Sequence, residues 1–180
     1  MDLLDFTGED MYFDQPLPAE VDALITAAAE HYGTETAEQS LMRAYFLAPE
    51  HLSVLVALYR FFYYRQRYAE ALTVADRAIA LVARELALDP DWRNLEAADL
   101  KRAASESMVL TRFLLLALKG AGFLLMRMEQ PAAALERLEK AALVDDSDRL
   151  GLTDLLDWAR RAATEAEIDR HGDNVHYIGR

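Results

Sequence analysis

From Pro18 to about residue 167, apolar side chains recur every three or four positions, the period of helices that bury one face. Pro18 suits the first turn of a helix, and residues 19–31 carry the stripe Val21, Leu24, Ile25 and Ala28. Gly33-Thr34 breaks this run, a second helix with Ala37, Leu41 and Ala44 on one face reaches about Leu47, and Pro49 stops it. Residues 52–88 read as an antiparallel helix pair parted at Arg65-Gln66-Arg67. Its first helix holds an aromatic block, Tyr59, Phe61, Phe62, Tyr63 and Tyr64, and its second an alanine face, Ala71, Ala75 and Ala78. After Asp89-Pro90-Asp91 the period resumes near Leu95 and runs to Met128, as one helix or as two parted near Ser105-Glu106-Ser107. Pro131 opens a helix that reaches Val144, and residues 145–148 form a turn with Ser147 or Asp148 as N-cap. The last helix, 151–167, shows Leu152, Leu155, Leu156, Ala159, Ala163 and Ala166 along one face. Residues 1–17 show no period and read as an acidic arm with large apolar groups, and 169–180 as a tail.

Composition narrows the class. The 180 residues are 53% hydrophobic with only 7 Gly and 5 Pro, as suits an all-α domain or short array. A net charge of −12 disfavours nucleic acid as a partner, since such binders need cations to displace counterions. With no cysteine, thiolate metal sites and cysteine nucleophiles are excluded. The run 108–126 is long enough to cross a bilayer, but Arg112 and Lys119 within it would each cost about 2.5–3.5 kcal/mol there. A buried core helix is therefore expected, and no membrane partner. The opening MDLLDFTGED lacks a basic n-region, so a cytoplasmic setting is the expectation.

The chain also repeats itself. Ala37 and Ala44, Ala71 and Ala78, and Ala134 and Ala141 are each seven apart, and the first two pairs are offset by 34 residues. The third follows after 63, which is one further repeat with 29 residues inserted. Small residues at such points let antiparallel helices approach closely. This pattern resembles the tetratricopeptide repeat, best in KGAGFLLMRMEQPAAALERLEKAALVDD at 119–146. The resemblance implies an all-α, right-handed helical-hairpin solenoid with a C-terminal capping helix. Its repeats would be 18–51, 52–85 and 115–148, with an insertion at 86–114 and a cap at 149–168. The family's eighth position is usually Gly or Ala, whereas here it is Ile25, Tyr59 and Gly122, so Tyr59 implies a looser central pair. The insertion implies that two long helices project beyond the stack.

Little in the sequence speaks of catalysis: the glycine-rich loops, nucleophile elbow and zinc-protease motif are absent, and no cofactor is implied. His171, Asp173 and His176 read as a polar tail rather than a metal site. The resemblance places partner recognition in a concave groove, at the second, fifth, sixth, ninth, twelfth and thirteenth residues of each repeat. These positions bring Arg60, Tyr63, Tyr64, Lys119, Phe123, Met126 and Arg127 together, the residue types that interface hot spots favour. An acidic and apolar peptide or helix of a protein partner is the implied ligand, and the arm segment Asp10-Met11-Tyr12-Phe13-Asp14 has that composition too. Asp22, Thr26 and Ala57 stand where some family members carry the Asn and Lys that clamp chaperone tails, which disfavours that partner. ALYRFFYYRQRYAEAL, preceded by LAPEHLSVLV, further resembles small repeat proteins that accompany bacterial nitrogen-fixation genes, implying nitrogenase or its assembly factors as partner. The expected function is a non-enzymatic adaptor or assembly chaperone. The alternatives are an enzyme or small-ligand binder with a pocket between the long helices, and a homodimer pairing those helices across a two-fold axis.

Overall fold

The computed structural model describes residues 16–172, with side chains described through Asp169. Among the described residues the chain is all-α. Helices α1 (Ala19–Glu30), α2 (Glu35–Leu47), α3 (Leu52–Tyr64) and α4 (Tyr68–Glu85) are followed by a 3-10 turn at Trp92–Asn94. Helices α5 (Ala97–Glu106), α6 (Met108–Arg127), α7 (Pro131–Ala142) and α8 (Thr153–Gly172) complete it.

Local chemistry sets most of the helix starts. Thr34 Oγ1 accepts the Ala37 amide at 3.2 Å to cap α2, and His51 Nδ1 accepts the Ser53 amide at 3.3 Å at the head of α3. Ser107 decides between one helix and two. Its backbone is extended, it ends α5, and its Oγ takes the Leu110 amide at 3.4 Å to start α6. The helix ends are less visible in the sequence. Helices α3, α4 and α6 close with a left-handed residue that is not glycine: Gln66 (φ 58°), Ala87 (φ 52°) and Glu129 (φ 58°). In each, the next amide reaches back to the helix: Arg67 to Phe62 O, Leu88 to Ala83 O and Gln130 to Leu125 O, at 2.8–2.9 Å. This turn stops α4 at Glu85, short of the expected Leu88, and tucks Leu86 and Leu88 into the core.

The helices pack in sequence. Within pairs α1 meets α2, α3 meets α4 and α6 meets α7; between pairs α2 meets α3, α4 meets α6 and α7 meets α8. All six alanines of the spaced pairs are buried. The contact of α6 with α7 is the most extensive, and Gly122 shows why: a Cβ there would lie 2.7 Å from Leu138 Cγ. Tyr59, at the corresponding place in α3, is buried with its ring stacked on Tyr63 at 6.1 Å.

The long helices do not project into solvent as expected. Val82, Ala83, Phe113 and Leu114 are buried where α4 and α6 exceed the length of the other paired helices, and α5 covers α6 with Leu100 and Ala103. Leaving so much apolar surface in water costs about 25 cal/mol per Å², so the extra turns pack on each other. The 3-10 turn seals their far edge. The guanidinium groups of Arg93 (4.6 Å) and Arg137 (4.5 Å) both stack on the Trp92 ring, while Arg137 donates to Asp76 on α4. Lys140 Nζ donates to Leu95 O at 2.7 Å, fastening the same segment to α7. Helix α6 is long and apolar enough to cross a membrane, but 67% of its most apolar stretch is buried among these neighbours.

Two substitutions probe this packing in urea denaturation. Gly122→Val forces α6 away from α7 and lowers stability by about 2–3 kcal/mol. Gln66→Gly relieves the left-handed backbone and raises it by about 0.5–1 kcal/mol.

Candidate partner-binding groove

The aromatic block of α3 divides by helical period. Phe61 and Phe62 face the core, whereas Tyr63 is half-buried and Tyr64 is 50% exposed. Tyr63 is the hub of a ring network. Its centroid lies 5.5 Å from Tyr64, 6.3 Å from Tyr68 and 6.3 Å from Phe123 on α6. Tyr32, just beyond α1, extends the row, with its ring 5.9 Å from Tyr64 and its hydroxyl donating to Arg60 O at 3.3 Å. Edge-to-face geometry dominates at the Tyr32–Tyr64 and Tyr63–Tyr64 contacts, with interplanar angles of 79° and 77°.

Two arginines flank the row. Arg60 is exposed on α3. Arg127, at the end of α6, stacks on Tyr68 at 5.4 Å and donates to its hydroxyl at 3.1 Å. The next arginine along, Arg67, is tied to Glu38 at 2.6 Å and Glu70 at 2.8 Å, binding α2 to α4. The hydrogen bond from Arg67, with a smaller part from its own backbone amide, holds the Glu70 carboxyl below its usual range; Glu38 and then Glu70 push Arg67 upward.

The structure thus brings Arg60, Tyr63, Tyr64, Phe123 and Arg127 to one surface and leaves two expected groove residues out of it. Met126 is 7% exposed and belongs to the core. Lys119 is 3% exposed; its Nζ donates to Leu150 O, anchoring the segment before α8. The groove positions assume a first helix with one open face, but α6 is enclosed by α4, α5 and α7. Tyr32, Tyr68 and Trp158 went unforeseen. Tyr32 and Tyr68 sit at helix ends, outside those positions. Trp158, 41% exposed, lies on a helix read only as a cap. Continued past 148, the 34-residue register puts Asp154 at the sixth place, a groove position, and Trp158 at the tenth, which is not one, so the register gives no signal for Trp158. The arm segment 10–14 and the side chains of His171, Asp173 and His176 lie outside what is described.

Asp148 organises the far end of this surface. Its Oδ1 accepts the Leu152 and Thr153 amides, the latter at 3.1 Å. The Thr153 side chain foremost, then these amides and the charge of Lys119, hold its carboxyl below the ordinary range. Asp89, bonded by the Asp91 amide and the Asn94 side chain, is lowered likewise. A lowered carboxylate contributes stability fully above its unfolded pKa and loses it as pH falls through the folded value. The urea midpoint is therefore expected to hold above about pH 5 and to decline from about pH 4 downward. Asp148→Asn should flatten that decline, and an unchanged profile in the variant would contradict the role of Asp148.

No protein-family model matches this chain, and no solved structure matches it. The chain is similar to a protein of Azotobacter chroococcum mcd 1 described as an uncharacterized 19.8 kDa protein in the nifW 5′ region. The two are 45% identical over 168 residues, which cover 93% of this chain and 94% of the relative. An ordered protein of helix pairs, carrying an exposed aromatic row and sharing nearly its whole length with that relative, belongs to the family of the Azotobacter nif-region protein.

Proposed function

We propose that this protein is a non-enzymatic adaptor or assembly chaperone built as a tetratricopeptide-like right-handed solenoid. Its units would be α1 with α2, α3 with α4, and α6 with α7, closed by α8. The groove of Tyr32, Tyr64, Tyr63 and Phe123, between Arg60 and Arg127, binds an acidic and apolar segment of a protein partner. One observation carries this reading: an aromatic row runs from the turn after α1 across α3 to α6 and is flanked by arginines in a chain of net charge −12. Such a chain repels acidic segments over most of its surface, so Arg60 and Arg127 select both the ligand and the place. Aromatic rings supply large contact area at small entropic cost, which suits hot spots.

The location of the Azotobacter relative, in the nifW 5′ region, supports an association with nitrogen fixation. The partner class that follows is nitrogenase or one of its assembly factors, met in the cytoplasm.

Affinity capture from the native host under nitrogen-fixing conditions tests the reading. Each captured protein is then titrated against the wild type and Arg60→Glu/Arg127→Glu. The double variant should fold normally and bind the partner at least about tenfold more weakly, the loss of one hot spot of about 1.4 kcal/mol or more. Equal affinity would place recognition elsewhere on the protein.

A further inference from the structure

Past Phe123 the groove changes sign. Between α6 and the start of α8 lies a pocket of about 360 Å³. It is lined by Phe123, Leu155 and Trp158, by the exposed carboxylates of Asp148 and Asp154, and by the buried Lys119. Two of these charges are already engaged, Lys119 with Leu150 O and Asp148 with the amides that open α8. They also offset each other. The α8 side is different. Asp154 and Trp158 are exposed and one turn apart on α8, and among the described residues no ion pair is formed by Asp154 and no cation stacks on Trp158.

A carboxylate one helical turn from an open indole face is the combination that takes an organic cation. We propose that this pocket binds the cationic head of an arginine or lysine side chain from the bound segment. Its aliphatic stem lies along Phe123 and Leu155, and its charge sits over Trp158 and against Asp154. Arginine fits better, because a planar guanidinium stacks on indole while its fork meets the carboxylate. Together with Arg127, the pocket gives the α6 side of the groove opposite charges on either side of Phe123. Lys119, Phe123 and Arg127 follow one another at four-residue intervals on α6. The two charged subsites are thus roughly 12 Å apart along it, about two turns of a bound helix. That the cation belongs to the bound segment, and the direction of that segment, rest on the adaptor reading; the affinity of the pocket for an organic cation does not.

The test uses the full chain with both tryptophan indoles isotopically labelled for NMR. The probes are Nα-acetyl-arginine methylamide and its norleucine counterpart, which keeps the stem and lacks the charge. Trp92, buried and already stacked by two guanidinium groups, is the internal control. The arginine probe should shift the Trp158 indole saturably in the millimolar range and leave Trp92 in place, while the norleucine probe shifts neither. Asp154→Asn should weaken the arginine response roughly fivefold with Trp92 unmoved. Arg60→Glu/Arg127→Glu should leave the response intact, so failure of the pocket and failure of the groove reading are distinguishable. No shift of Trp158, an equal shift with norleucine, or an undiminished response in Asp154→Asn would overturn the proposal.

Discussion

The distance at which antiparallel helices approach one another governs this protein. Ala37, Ala44, Ala71, Ala78, Ala134 and Ala141 are all at most 5% exposed, and Gly122 leaves no room for a methyl group against Leu138. Larger residues at these points would force the pairs apart, at a typical cost of about 1–3 kcal/mol each. With the backbones this close, the bulky side chains of the first helices are sorted by period alone. Phe61 and Phe62 turn inward, and Tyr63 and Tyr64 come to the surface. The exposed aromatic row is thus a by-product of the same spacing that builds the core.

Residues 86–114 show how the packing covers two unusually long helices. Longer α4 and α6 create extra apolar surface, which α5 and the Trp92 turn cover. The closure is polar at its margin. Arg137, 6% exposed, stacks on Trp92 and bonds Asp76, and Lys140 holds Leu95 O. A buried guanidinium with all of its neighbours in place adds orientation as well as contact, and leaving it unpaired would be costly.

Much of this was legible in the sequence because helical period and small-residue spacing are local signals. The break at Gly33-Thr34, the helix start at Pro131 and the burial of the apolar run could be read from residue type and order, whereas 95–128 fits one helix or two until the extended backbone and cap of Ser107 divide it. The failures have physical causes as well. Gln66, Ala87 and Glu129 hold conformations usually signalled by glycine; the polar turn at 65–67 and the loss of period at Met128 still placed the ends of α3 and α6, whereas the end of α4 at Glu85 carried no mark. The same turn recurs at Gln66 and Glu129, 63 residues apart like Ala71 and Ala134, and again at Ala87. Lys119 and Met126 were assigned by position in a repeat, but the number of helices around α6 determined their burial. Trp158 carries no such signal, because the repeat resemblance makes α8 a lid over the last pair.

The central claim is that partners meet the face carrying the aromatic row, and the chain offers a natural control in Phe46 on α2, which is 77% exposed. A photo-crosslinking phenylalanine analogue placed singly at Tyr64 or at Phe46, in cells fixing nitrogen, tests that claim most directly. The account predicts a discrete crosslinked partner from position 64 and none from position 46. A crosslink from 46 with none from 64 would contradict it.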